Sequence, residues 1–168
     1  YFAAGKGNLN MVRYLAGEGH ADVNLATTDY GSTPLFVAAG RGSLDVVRYL
    51  AGEAHADLNL ARTDNGCTPL YAAASQGNLD VVRYLAGEAH ADVNQATTND
   101  GCTPFYMAAQ RGNSDVLRYL VGDARPDVNQ ARTDDGLTPL FMASPEHNPH
   151  GVVNLSIERL VCVSQAKT

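Results

Sequence analysis

The sequence predicts an all-α repeat solenoid, and three observations carry that prediction. The stretch GCTPLYAAASQGNLDVVRYLAGEAHADVNQATTND, which begins at Gly66, opens again at Gly31, Gly101 and Gly136, always 35 residues apart and without slippage. A fixed period of that length marks a stacked repeat array. Within each period two short apolar stripes at helical spacing stand either side of a glycine. The rest of the period is polar and holds no helical pattern. One such unit cannot bury its own apolar face, so its stability must come from neighbours of the same shape.

Taken in order, residues 1–30 form a truncated first unit in register with the rest, and 31–65, 66–100 and 101–135 are full units. In the unit that begins at Gly66, Thr68 reads as a helix cap and Pro69 as a first helical residue that loses no needed donor. Leu70, Ala73 and Ala74 share one face of that helix. Gly77 ends it in a left-handed conformation. Asn78 is expected to cap a second helix, with Asp80 near its positive end and Val81, Val82 and Leu85 as its apolar stripe. Asp80 and Arg83 are expected to pair on its outer side, for ~0.2–0.5 kcal/mol. After Gly87 the polar stretch HADVNQATTNDG holds no helical period and ends in a turn signal, which predicts a long polar loop. The last unit, 136–168, starts normally and then breaks at Pro145, which cannot comfortably continue a helix. Val152, Val153, Ile157, Leu160 and Val161 restore a stripe, so 152–163 is expected to be a capping helix. The whole of 1–168 reads as a single array.

The pattern G-x-T-P-L-x-x-A-A-x-x-G, then V-V-x-x-L, then A-D-V-N resembles the ankyrin repeat family. It stands at Gly31-Ser32-Thr33-Pro34-Leu35, Gly66-Cys67-Thr68-Pro69-Leu70 and Gly136-Leu137-Thr138-Pro139-Leu140, with Phe105 replacing the leucine after Gly101. The resemblance runs from residue 3 to about 143 and implies helix pairs with protruding fingers. The usual family period is about 33, so two extra residues must be placed. One falls in the GEAH segment and the other before the next glycine. The histidine usual after T-P-L is replaced by Phe36, Tyr71, Tyr106 and Phe141, which predicts aromatic packing there.

Composition narrows the function. A net charge of −6 argues against duplex nucleic acid and membrane surfaces, which need basic stripes, and is compatible with a protein partner carrying a basic surface. No run reaches the ~18 apolar residues of a membrane span. The chain opens inside a first helix without Met, which reads as a piece of something longer. Cys67 and Cys102 hold equivalent places in neighbouring units, ~8–10 Å apart by helix packing, too far for a disulfide. Reduced thiols and an intracellular, cytoplasmic setting follow as the expectation. Nothing in the sequence argues against a monomer.

No catalytic elbow, phosphate-cradling loop or Cys/His pair stands out from the repeat, so the chain reads as non-enzymatic and without a cofactor. His20, His55 and His90 form a ladder whose rungs are too far apart for zinc, which holds its ligands at ~2 Å. They read instead as loop residues that tolerate left-handed angles. Glu146, His147 and His150 are a weaker metal candidate that lacks further ligands. Asn24, Asn59, Asn94 and Asn129 are expected to tie loop backbones together. Tyr14, Tyr49, Tyr84 and Tyr119 are expected to pack between units with their hydroxyls in water.

What remains is variation on a constant scaffold. It concentrates at the finger tips, at the residue after each turn glycine, and at the end of each first helix. The tips are Asp29 and Tyr30, Asp64 and Asn65, Asn99 and Asp100, and Asp134 and Asp135. The helix ends are Lys6, Arg41, Gln76, and Gln110 with Arg111. The resemblance places these on the concave face, so they are the expected partner-binding residues, with Tyr30 as the aromatic anchor. The expected function is protein recognition. The rival readings are a purely architectural spacer and a metal-binding or enzymatic role through the 146–150 loop.

Overall fold

The computed structural model describes residues 1–144. The expected cap at 152–163, the 146–150 loop and Cys162 lie outside the described residues. Within them the chain forms α1 (Phe2–Gly5), α2 (Leu9–Ala16), α3 (Pro34–Arg41), α4 (Leu44–Arg48), α5 (Pro69–Gln76), α6 (Leu79–Val82), α7 (Pro104–Arg111), α8 (Ser114–Tyr119) and α9 (Pro139–Met142). The first helices α1, α3, α5, α7 and α9 stack side by side, and the second helices α2, α4, α6 and α8 form a parallel layer behind them. No strand occurs among the described residues.

The core is the period itself written in side chains. Leu35, Ala38 and Ala39 of α3 meet Val46 and Val47 of α4 and Leu50 beyond it, all buried. Leu70, Ala73, Ala74, Val81, Val82 and Leu85 repeat this one unit later, and Phe105, Ala108, Ala109, Val116, Leu117 and Leu120 one unit after that. Removing one buried leucine from such a stack costs ~2–5 kcal/mol. The alanines keep neighbouring first helices close.

Each first helix starts and stops as its sequence dictates. The hydroxyls of Thr33, Thr68, Thr103 and Thr138 accept the backbone N–H groups of Phe36, Tyr71, Tyr106 and Phe141. Gly42, Gly77 and Gly112 end the helices at positive φ.

The second helices depart from expectation in three ways. The helical chain runs on past α4, α6 and α8 through Tyr49–Glu53, Arg83–Glu88 and Leu120–Ala124 with a wider, five-residue hydrogen-bond step. Ala54 N–H donates to the Tyr49 carbonyl, Ala89 to Tyr84 and Arg125 to Leu120. Such a bulge absorbs one extra residue inside a helix, which accounts for one of the two residues by which the period exceeds ~33. The chain then leaves through His20, His55, His90 and Arg125, all at positive φ, as the histidine expectation required.

Asn78 does not cap α6. Its amide reaches back one unit and donates to the carbonyls of Ala39 and Gly40 at the end of α3, 2.9 and 3.0 Å away. Asn113 does the same for Ala74 and Ser75. Asn8 instead turns its side chain to its own helix and accepts Met11 N–H.

The third departure is on the outer layer. Arg83 lies over the ring of Tyr119, 5.7 Å from its centre, in place of the expected pair with Asp80. Arg13 and Arg48 likewise stack on Tyr49 and Tyr84 of the next unit, at 5.3 and 5.1 Å. They also bridge Glu53 and Glu88 at 3.1 and 3.3 Å. Stacking on a ring competes with an exposed carboxylate on the same helix, because the ring desolvates one side of the guanidinium. Tyr49, Tyr84 and Tyr119 thus pack between units as expected, whereas Tyr14 is exposed, and the Tyr119 hydroxyl donates to the Arg83 carbonyl rather than to water alone.

Candidate partner-binding groove

The fingers are tied together by the A-D-V-N asparagines. Asn24, Asn59 and Asn94 accept the backbone N–H of Asp57, Asp92 and Asp127 in the following finger at 2.8, 2.9 and 2.8 Å. Asp22, Asp57, Asp92 and Asp127 each close a local turn by accepting the N–H two residues on. Further out, Thr98 N–H donates to the Asn65 carbonyl and Thr133 N–H to that of Asp100. A finger array bonded in this way is held rigid before any partner arrives.

The tip residues divide into two kinds. Asn65, Asp100 and Asp135 turn their side-chain oxygens back to accept the N–H of Cys67, Cys102 and Leu137. Burial pushes the Asp100 carboxyl up, but bonds from the Thr97 hydroxyl and from Cys102, with Arg132 nearby, more than offset it and leave its pKa lowered. Asp64 receives the Arg62 guanidinium at two points, 3.0 and 2.5 Å. Arg132 sits among Asp100, Asp134 and Asp135. Asp29 is held below the usual carboxylate range chiefly by the Thr27 hydroxyl, then by Tyr30 N–H. The structure therefore turns most tip carboxylates inward, onto their own fingers. Asn99 is exposed.

Tyr30 is the exception at the shared turn position, because it has no oxygen with which to close the turn. It stands 55% exposed, with Arg62 over its ring at 5.1 Å and over Phe36 at 5.4 Å. The guanidinium thus lies against two aromatic rings while its fork holds Asp64.

Between the finger bases and the first helices runs an open groove of about 520 Å³. Its floor is Phe36, Val37, Tyr71, Ala72 and Met107 of α3, α5 and α7. The helix ends contribute Arg41, Ser75, Gln76 and Arg111, and the finger side contributes Arg62, Asn65 and Cys67. Four of the expected contact residues, Arg41, Asn65, Gln76 and Arg111, are brought together here. Lys6, Gln110 and the remaining tip residues are not among its lining. Sequence reasoning missed Phe36, Tyr71, Met107 and Arg62 as groove residues, since the first two were assigned to packing alone. The legible signal was there: an aromatic in place of histidine at a position facing the finger.

The groove charge is uneven. Among the described residues Arg13, Arg48, Arg62, Arg118 and Arg132 have carboxylate partners, whereas Arg41 and Arg111 in the groove, and Arg83 and Arg125 outside it, have none. No carboxylate among the described residues lines the groove. Cys67 is a free, buried thiol at its edge, pushed up to about 11 by burial; Cys102 is also free and is pushed up to about 12 by burial. Among the described residues no group of three His, Cys, Asp or Glu side chains could hold a metal ion. No helix among them is long and apolar enough to cross a membrane.

Against known proteins, a family model described as ankyrin repeats, in three copies, matches residues 1–97 and 89–158. A comparison with curated proteins finds no match.

Proposed function

The chain belongs to the ankyrin repeat family, and from that premise we propose that it is a non-enzymatic recognition module that binds a protein partner in the groove between its first helices and its fingers. The observation that carries this reading is the groove itself. It offers an apolar floor, unpaired polar groups at the rim, and walls already fixed by bonds between units. Preordered walls lose little loop entropy on binding, so more of each contact appears as affinity. A cytoplasmic setting fits the free thiols at Cys67 and Cys102, and binding as a monomer fits a surface that needs no second copy to complete it.

Within this reading Arg41, Gln76, Arg111 and Asn65 are rim contacts, and Tyr30 is the tip anchor. Asp29, Asp64, Asn99, Asp100, Asp134 and Asp135, with Lys6 and Gln110, are peripheral contacts at most. A basic partner would have to take carboxylates away from Arg62 and Arg132.

The test is capture from an extract with chemical cross-linking, comparing the native chain with Ser75→Trp, which fills the groove without changing charge. A captured protein whose cross-links fall beside the groove and which Ser75→Trp releases is the expected result. A captured set that is identical for both chains would refute the reading and leave the array as a spacer.

A further inference from the structure

We infer that the groove takes an extended, acidic peptide segment with an aromatic or long aliphatic side chain between its carboxylates. This rests on the groove being a protein-recognition site, as proposed above, and adds the chemistry of the partner. Three features of the molecule argue for it. Arg41 and Arg111 line a groove in which, among the described residues, there is no carboxylate and neither has an ion-pair partner, in a chain whose net charge is −6. Their five-donor forks match carboxylates in two-point geometry. Their position at first-helix C-termini favours a cation through the helix dipole, but the dipole occupies none of those side-chain donors.

The spacing sets the shape of the ligand. Arg41 and Arg111 stand two units apart, about 16–20 Å at one helix-packing distance per unit. An extended chain rising ~3.3 Å per residue covers that span in about five or six residues. A helix would need about twice as many residues to cover it. Between the two arginines the floor presents Phe36, Tyr71 and Met107, a surface of rings and a pliable thioether suited to one large apolar side chain. Arg62, held by Asp64 and the two rings, keeps the finger wall polar without competing for the ligand's charge. Nucleic acid is the poorer fit, since two free guanidinium groups release few counterions.

The experiment is selection of binders from a random dodecapeptide library displayed on phage against the full chain, followed by affinity measurement on the consensus peptide. The expected consensus carries Asp or Glu on both sides of an aromatic or aliphatic residue. Its affinity should fall at least about tenfold in Arg41→Glu/Arg111→Glu and weaken as salt is raised, and binding should vanish in Ser75→Trp. A basic or uncharged consensus, or one indifferent to the arginine reversals, overturns the acidic assignment. Loss in Ser75→Trp would then leave groove recognition standing. A consensus that ignores Ser75→Trp, or no enrichment at all, removes both readings. Circular dichroism checks each variant, with Arg41→Gln/Arg111→Gln and Ser75→Leu used in place of any that loses helicity.

Discussion

Replacing Asn78 with alanine should destabilise the array by about 1–2 kcal/mol, although the residue lies on no helix and in no groove. Its amide donates two bonds, 2.9 and 3.0 Å long, to the last carbonyls of α3 in the preceding unit. Each bond is worth ~0.5–1.5 kcal/mol net. The Ala39 carbonyl, though buried, still accepts Gly42 N–H, and Gly40 is only half-buried, which places the sum in the lower half of that range. The amide also fills the notch beside Gly42, where a Cβ would come within 2.9 Å of it. The assay is urea unfolding followed by far-ultraviolet circular dichroism, with the midpoint falling and the slope unchanged. The same register position offers the reverse experiment. Ser43 makes no such bond, so Ser43→Asn should hand the last carbonyls of α1 a donor and raise stability by ~0.5–1 kcal/mol. An unchanged midpoint in Asn78→Ala, or a loss in Ser43→Asn, would refute the view that this residue links units rather than capping its own helix.

Gly66 and Gly136 share a positive φ, but a Cβ on Gly66 would lie 2.6 Å from Thr98 N, while nothing among the described residues approaches Gly136. Alanine should therefore cost ~1–2 kcal/mol at Gly136 for the left-handed backbone alone and ~1–3 kcal/mol more at Gly66 for the clash, read from the same urea curves. Asp100 has a lowered folded pKa, so its stabilisation is complete above the unfolded value of ~3.9 and is lost as pH falls through the folded one. Asp100→Asn should flatten that part of the acid unfolding curve while keeping the turn, as Asn65 does in the neighbouring finger; an unchanged acid limb would count against it. Cys67 and Cys102, pushed up to about 11 and about 12 by burial, should resist a thiol reagent near pH 8 until the chain is unfolded. Fast labelling of either thiol in the folded protein would contradict their placement.

Much of the fold was legible because it is local. Thr68 with Pro69, the left-handed Gly77 and the Leu70–Ala73–Ala74 stripe each need only their own helix to be understood. The asparagine ties were also legible, since a polar residue recurring once per period must serve something that recurs. What could not be read were contacts whose partner lies a full period away. Asn78 sits where a helix cap belongs, and only the neighbouring carbonyls of Ala39 and Gly40 show that it serves the unit before. Arg83 has Asp80 three residues off, and only Tyr119 from the next unit outcompetes it. Variation at the tips was read as freedom to bind. For Asn65, Asp100 and Asp135 it instead reflects two side chains that close the same turn equally well, which leaves Tyr30 as the one tip that departs for another reason.

The longer period and the groove are connected through the same residues. The wide turn after each second helix absorbs a residue, and the chain must then reverse through a left-handed position to enter the finger; glycine would serve there, but histidine and Arg125 stand in its place. The finger so launched returns at residues 62 and 132, where arginine lies over the aromatic of its own unit's first helix, Phe36 and Tyr106. At residue 97 the same place holds threonine, whose hydroxyl closes the tip on Asp100 instead, so no cation covers Tyr71. Tyr71 therefore keeps its ring face for the groove, between Arg41 on one side and Arg111 on the other. The alternation of arginine and threonine at one finger position thus leaves Tyr71 without a covering cation while Phe36 and Tyr106 have one, and sets it between two arginines with no ion-pair partner among the described residues.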